Sequence, residues 1–356
     1  MKNNTILKVF ILVTYLITIS IFIVILYGLA LGVRSFNGYI FVIWMGLSLS
    51  IPIIYILSDK VSKKLLILWI IITIYTLSRG FQINQKTNGN YKLVCMHNCS
   101  KYNYNILNIL SEKELLNSGY KLASLIGITK EQLDKFKPIQ LEYENKVNIN
   151  LPSQIPNALI DKKESKYILY SKPSFTQDKL FMVIHGSCGG FLFYQKFFKR
   201  YGDKYNTKVV MPTFGWGNWK KDGGIELIYE TYYDLLNKGE INKNTEVILI
   251  GISNGGLGIS RAIYFDKNNI FPKIIYISAV MENEMIQSKE FANNVQNKLV
   301  SIITGKVDDR VDYSNTKLLT KYFPNISTLF VENGDHFILL NEEKLLSQEI
   351  EKIIEH

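Results

Sequence analysis

The chain has 356 residues, 47% of them apolar and 20% charged, and a formal net charge of +10. Its lysines are scattered, with no basic cluster interleaved with aromatics, so the charge marks a solvated lysine-rich surface and no nucleic-acid partner is expected. Three cysteines are too few for a disulfide framework, although Cys95 and Cys99 could pair in an exported domain, and no Cys/His set has zinc-like spacing.

The first eighty residues read as a membrane anchor. Val9 to Val33 carries no charge and exceeds the roughly 20 residues that cross a bilayer. It is also longer than the roughly 7–15 apolar residues of a signal peptide, and further apolar stretches follow. Tyr39 to Leu57 is a second span; its Pro52 is tolerated in a membrane helix. Val61 to Ser78, with its apolar part at Leu65–Leu77, barely reaches spanning length. Lys2, Lys8, Lys60, Lys63 and Lys64 flank one side of a three-span arrangement, and Arg34, Arg79 and Lys86 the other. The positive-inside rule then favours an inside N-terminus. Three spans, the arrangement expected here, place the rest of the chain outside the cytoplasm; two would leave it inside.

Residues 81–164 read as a linker with a small helical insert. Ser111 and Glu114 form a capping box that opens a helix toward Leu125, and Thr129 resembles a second start. The insert is expected to be a spacer rather than a lid. From residue 165 onward, strand-like runs alternate with helical patterns, which predicts a mostly parallel sheet with helices on both faces. Lys179–Ile184, Lys208–Pro212, Thr245–Ile250, a run ending near Val280, Leu299–Thr304 and Ser327–Val331 are its strands. Such a sheet binds ligands at the carboxyl ends of its strands.

The motifs with chemical content fall at those ends. Gly251-Ile252-Ser253-Asn254-Gly255 fits G-x-S-x-G between a β-branched strand and a helix, where small neighbours allow the sharp turn that exposes a serine hydroxyl. A serine nucleophile needs a base, itself oriented by an acid. Of four histidines, His356 is terminal, His97 lies in a polar upstream segment and His185 sits in another loop. His336, in Asn333-Gly334-Asp335-His336 after a strand, is the candidate base. Between serine and histidine, Gly305-Lys306-Val307-Asp308-Asp309-Arg310-Val311 offers Asp308 as the acid, with Asp309 and, more remotely, Glu282 as alternatives. The oxyanion donors are the backbone N–H of Asn254 and that of Ser187, or of Cys188, in the glycine-rich loop His185–Gly190. Cys188 lacks the strand–turn setting of a nucleophile. Trp216, between two glycines after a strand, is a candidate substrate-pocket wall. The aromatic run Phe191–Phe198 reads as the core face of a helix.

Together, the H-G-x-x-G-G loop, the G-x-S-N-G-G turn, G-x-x-D-x-x-V and G-D-H-F occur in the order and spacing of the α/β-hydrolases, which residues 165–356 resemble. The Ser-Asn-Gly-Gly variant is similar to elbows of prolyl-oligopeptidase-like peptidases and of esterases alike. Two departures are the doubled aspartate and the short segment after Val280, where many members carry a large cap. The resemblance implies a serine hydrolase with Ser253, His336 and Asp308 as its triad and no metal or organic cofactor. With the anchor, it points to an ester or thioester of an apolar or lipid-like acyl group. A peptidase or an acyltransferase with the same triad is the alternative, and a non-catalytic sensor on the same scaffold the contrasting one.

Overall fold

The computed structural model describes residues 23, 25–58, 60–83, 85–96, 100–125, 149, 151–156, 165–187, 191–215, 217–314, 316, 319–320 and 326–355. The chain divides into two compact units, Met1–Gln82 with Tyr102–Lys135, and Ile83–Lys101 with Phe136–His356.

In the first unit, helices α1 (Phe36–Ser58) and α2 (Lys63–Arg79) form an antiparallel hairpin. Polar atoms on their facing sides pair with one another. Trp44 Nε1 donates to Thr73 Oγ1 at 3.0 Å, Trp69 Nε1 to Ser48 Oγ at 2.9 Å, and Tyr75 OH to Asn37 Oδ1 at 2.6 Å. The outward side of α2 is apolar: Ile67, Ile71 and Ile74 are all more than half exposed. Among the described residues one helix, Phe36–Tyr55, is long and apolar enough to cross a membrane. α2 has 17 residues, about 26 Å of helix against a hydrocarbon core of about 30 Å. Most of the expected first span, 9–33, lies outside the described residues.

Helix α3 (Glu112–Leu125) starts at the expected capping box. Ser111 Oγ accepts the Glu114 N–H at 3.3 Å, and Glu114 Oε2 accepts the Ser111 N–H at 3.1 Å. The other Glu114 oxygen accepts the N–H groups of Arg34 and Ser35 at 3.1 and 2.8 Å, leading into α1. Leu122 lies against Gly28, where a Cβ would come within 2.5 Å of it, and Ser118 fills the space beside Gly32. The insert helix is thus packed into the apolar helical unit rather than suspended from it. The expected start at Thr129 lies outside the described residues. Short strands β1 (Phe81–Ile83) and β4 (Tyr102–Tyr104) pair with each other.

The second unit is built on a nine-stranded sheet. Its strands are β2 (Lys86–Asn88), β3 (Tyr91–Cys95), β5 (Lys166–Tyr170), β6 (Lys179–Ile184), β7 (Lys208–Pro212), β8 (Glu246–Ile252), β9 (Lys273–Ile277), β10 (Leu299–Gly305) and β11 (Ile326–Val331). They lie in the order β2-β3-β5-β7-β6-β8-β9-β10-β11. β5 runs antiparallel to both neighbours, and β7 through β11 are parallel. The order β3-β5-β7-β6-β8-β9-β10-β11, with β5 antiparallel to both neighbours, is that of the α/β-hydrolase fold, and β2 adds an antiparallel strand at the edge. One boundary differs from the sequence reading: the sheet begins at Lys86, so residues 86–95 belong to it and not to a linker. A two-residue Gly89-Asn90 turn, with Gly89 at φ 57°, closes that first hairpin.

The inner parallel strands β6 to β10 are largely apolar and buried because helices cover both faces, whereas the edge strand β11 is buried only at Val331. α4 (Phe191–Lys204) and α8 (Glu343–Glu355) cover one face. α5 (Gly224–Asn237), α6 (Gly255–Phe265) and α7 (Lys289–Val295) cover the other. Phe191, Phe197, Phe198 and Tyr201 form the buried stripe of α4, as the aromatic spacing predicts. Between β9 and β10 the short segment after Val280 makes two short helices, Asn283–Ile286 and α7. At the opposite end of the sheet from the strand tips, Lys298 and Asp266 form a fully buried ion pair at 2.6 Å. Lys298 also donates to Asn269 Oδ1 and Phe271 O.

Candidate active site

The central strand β8 delivers Ser253 to the carboxyl end of the sheet. The serine has φ 50°, in the left-handed region that a side-chain-bearing residue rarely occupies, at a cost of order 1–3 kcal/mol. The turn is held by its own backbone. Ser253 N–H donates to Ile277 O at 3.1 Å, and Ser253 O accepts the N–H groups of Gly256 and Val280 at 3.0 and 2.9 Å. Gly255 is required by close approach, since a Cβ there would overlap the Ile184 carbonyl oxygen at the end of β6. Helix α6 then starts at once, with Asn254 as its N-cap.

Two later strand ends bring the partners. Ser253 Oγ lies 3.0 Å from His336 Nε2, and His336 Nδ1 lies 2.9 Å from Asp308 Oδ2 and 3.2 Å from Oδ1. Asp308, in the turn after β10, has a fully buried side chain, and Oδ1 also accepts the N–H groups of Arg310 and Val311, each at 2.9 Å. A buried carboxylate without hydrogen bonds would be costly; three donors satisfy this one and fix its plane. His336 follows β11, whose turn packs on the previous one: Val307 N–H donates to Gly334 O at 3.1 Å. The imidazole, 11% exposed, meets Phe337 edge to face, and the Arg310 guanidinium lies 5.2 Å from the Phe337 ring centroid. Of the two aspartates, Asp308 makes the histidine contact. Glu282, the remote alternative, instead lies 3.4 Å from both Lys220 and Arg261.

The loop after β6 lies beside the serine. A Cβ on Gly186 would come within 3.0 Å of Ser253 Cβ and 3.7 Å of its Oγ. Ser187 follows, and its Oγ accepts from Asn254 Nδ2 at 2.5 Å, so the two residues expected to supply oxyanion donors are in contact through their side chains. Cys188–Gly190 lie outside the described residues.

Sequence reasoning missed how this loop is braced. His185, in another loop from Ser253, has a buried ring that joins two loops. Nδ1–H donates to Gly186 O at 2.7 Å, and Nε2 accepts the Phe214 N–H at 3.1 Å. Trp219 Nε1 donates to His185 O at 2.9 Å, and the rings of Phe191 and Trp219 pack edge-on against the imidazole. Burial pushes this imidazole down to about 4, so it is neutral at pH 7, as its acceptor role requires. Gly217, at φ 80°, presses on the Gly186 carbonyl so closely that no Cβ would fit. A histidine following the apolar run Leu180–Ile184 is the one sequence sign of this role. Trp216 lies outside the described residues, whereas Trp219 is fully buried against Phe214 and Gly258 and is part of the core.

No group of three or more metal-ligating side chains occurs among the described residues. Cys95, at the end of β3, is disulfide-bonded, and its partner cysteine lies outside the described residues.

No protein-family description and no curated protein matches the sequence. Solved structures similar to the chain include a predicted CIB-like hydrolase from Thermoplasma acidophilum, with 15% identity, a TM-score of 0.41, and 51% of this chain and 89% of that one covered. Others are a bromoperoxidase from Bacillus anthracis (13%, TM-score 0.40, 54% and 96%) and a lipase-esterase related protein from Clostridium acetobutylicum (16%, 0.40, 52% and 98%). Likeness this distant carries no weight on the reaction; strand order and direction carry the fold.

Proposed function

We propose that the chain is a membrane-anchored serine hydrolase that cleaves an ester or thioester through an acyl-enzyme. The observation that carries this reading is the hydrogen-bonded series Ser253–His336–Asp308, assembled from three strand ends. Ser253 Oγ attacks the carbonyl carbon while its proton passes to His336 Nε2; the Nδ1 proton stays on the ring, hydrogen-bonded to Asp308, which stabilises the imidazolium. The backbone N–H groups of Asn254 and Ser187 receive the negative oxygen of the tetrahedral intermediate. Collapse expels the leaving group, protonated by His336, and water repeats the sequence to free the acid and restore Ser253.

Support for the anchor comes from the apolar helix Phe36–Tyr55 and the exposed apolar side of α2. An anchor in the bilayer favours an apolar or lipid-like acyl substrate. A disulfide at Cys95 persists in oxidising compartments, which favours a multi-pass topology with the catalytic unit outside the cytoplasm.

A fluorophosphonate probe tests the reaction. The detergent-solubilised protein should be labelled, and Ser253→Ala and His336→Ala should not. Loss of the nucleophile lowers turnover on the order of 10⁶-fold in a triad enzyme. A folded wild type that stays unlabelled, or a Ser253→Ala variant that keeps its activity, would remove the catalytic reading. For topology, protease added outside right-side-out vesicles should digest the sheet unit; protection would place it in the cytoplasm.

A further inference from the structure

An asparagine at a helix N-cap ordinarily turns its side chain back onto the free N–H groups of its own helix. Asn254, the N-cap of α6, makes no such bond. Its Nδ2 donates instead to Ser187 Oγ, 67 positions away in sequence. These are the two residues whose backbone N–H groups border the proposed oxyanion site. A hydroxyl offers one donor and two acceptor positions. With one acceptor position of Ser187 Oγ held by the Asn254 amide, its own proton is directed elsewhere. The preceding residue, Gly186, stands against Ser253, so Ser187 is one residue from the group beside the nucleophile.

Resting on the reading of Ser253 as the nucleophile, we infer that the Ser187 hydroxyl is a third donor to the oxyanion and that the Asn254 side chain is the positioning residue that aims it. Gly186, next to Ser187, brings backbone freedom that must be restrained, and donors stabilise a developing charge best when fixed beforehand. A strap from the rigid end of α6 supplies that restraint. Because the full charge exists only after attack, the contribution belongs to kcat and not to KM.

The test uses the full-length protein in detergent, with p-nitrophenyl butyrate as substrate and a trifluoromethyl ketone as mimic of the tetrahedral adduct. Ser187→Ala should lower kcat by about 10²-fold, the loss typical of one oxyanion donor, with KM unchanged. Affinity for the ketone should fall in parallel. Ser187→Thr keeps a hydroxyl and should recover most of the loss. Asn254→Ala should lower kcat in the wild-type background and add nothing in the Ser187→Ala background, because it acts through that hydroxyl. A kcat within twofold of wild type in Ser187→Ala, additive losses in the double variant, or a loss confined to KM that threonine does not recover would each overturn the inference. Fluorophosphonate labelling separates this failure from failure of the hydrolase reading. If wild type is labelled at Ser253 while Ser187→Ala turns over normally, only the hydroxyl's role falls; if wild type is not labelled, the reading beneath it falls.

Discussion

Replacing Asp308 with asparagine tests which aspartate orients the base, and the structure dictates how the change acts. Oδ1 of Asp308 accepts the N–H groups of Arg310 and Val311, each at 2.9 Å, while Oδ2 faces His336 Nδ1 at 2.9 Å. In Asp308→Asn the amide oxygen must stay on the two N–H donors, because the NH₂ group has no lone pair to offer them. The NH₂ group therefore faces Nδ1 and donates to it. Nδ1 is then forced to be the acceptor, the ring proton moves to Nε2, and Nε2 can no longer take the Ser253 proton. The corresponding change in a Ser-His-Asp triad lowers kcat about 10⁴-fold, roughly 5.5 kcal/mol of transition-state stabilisation. Asp309→Asn, which leaves those contacts intact, should stay within a few-fold of wild type. Both variants can be followed by p-nitrophenyl butyrate hydrolysis and by the rate of fluorophosphonate labelling, with circular dichroism to confirm folding. A larger loss in Asp309→Asn than in Asp308→Asn would refute the tautomer argument and the choice of acid together.

Three further outcomes follow from packing and protonation. Lys298→Met strands Asp266 in the interior, which typically costs 3–5 kcal/mol; urea unfolding should show that loss with activity of the remaining folded fraction unchanged, and a cost below about 1 kcal/mol would contradict the burial of the pair. His185 has a folded value of about 4, below its unfolded value of about 6.5, so between those values the unfolded chain binds the extra proton. Stability from this residue is therefore full above about pH 6.5 and falls as the pH drops toward 4, by about 2–3 kcal/mol at pH 4.5. His185→Gln should remove that part of the pH dependence of urea unfolding; equal slopes in variant and wild type would reject it. In Gly305→Ala a Cβ would overlap the Gly334 carbonyl oxygen, forcing apart the turns that carry Asp308 and His336. Thermal unfolding should register a loss of about 1–3 kcal/mol, with slower labelling of Ser253, and no change in either would show that the turns can give way.

The Ser253–His336–Asp308 series was legible because each member follows a strand-like run: those before Ser253 and Asp308 are buried, and the one before His336 is the edge strand β11, buried only at Val331. Ser253 after Thr245–Ile250, Asp308 after Leu299–Thr304 and His336 after Ser327–Val331 are separated in sequence, yet parallel strands with covered faces place their carboxyl ends side by side. The start of the sheet was less legible. Tyr91-Lys92-Leu93-Val94-Cys95 is short and mixed, and only Leu93 and Cys95 are buried. Its best sign, the Gly89-Asn90 hairpin turn to the edge strand β2, stands in an Asn-rich stretch where asparagine carries little information. The alternating strand pattern accordingly becomes readable only from residue 165, some eighty residues after the sheet begins at Lys86.

The parts of the site that sequence could not give are those that depend on pairs. Ser187 and Asn254 were each identified from backbone position, one after β6 and one after β8. That their side chains meet follows from β6 lying directly beside β8, with Ile184 opposite Gly251. His185 reaches Phe214 because β7 lies on the other side of β6. β6 thus stands where the chain reverses its order of strand addition, and the loop at its end is held from both sides: by Asn254 from β8, and by Phe214 and Trp219 from the loop after β7. A nucleophile and its base can be read from single motifs, because each is one residue doing one thing. An oxyanion site is a distance between two loops, and only the strand order decides which loops those are.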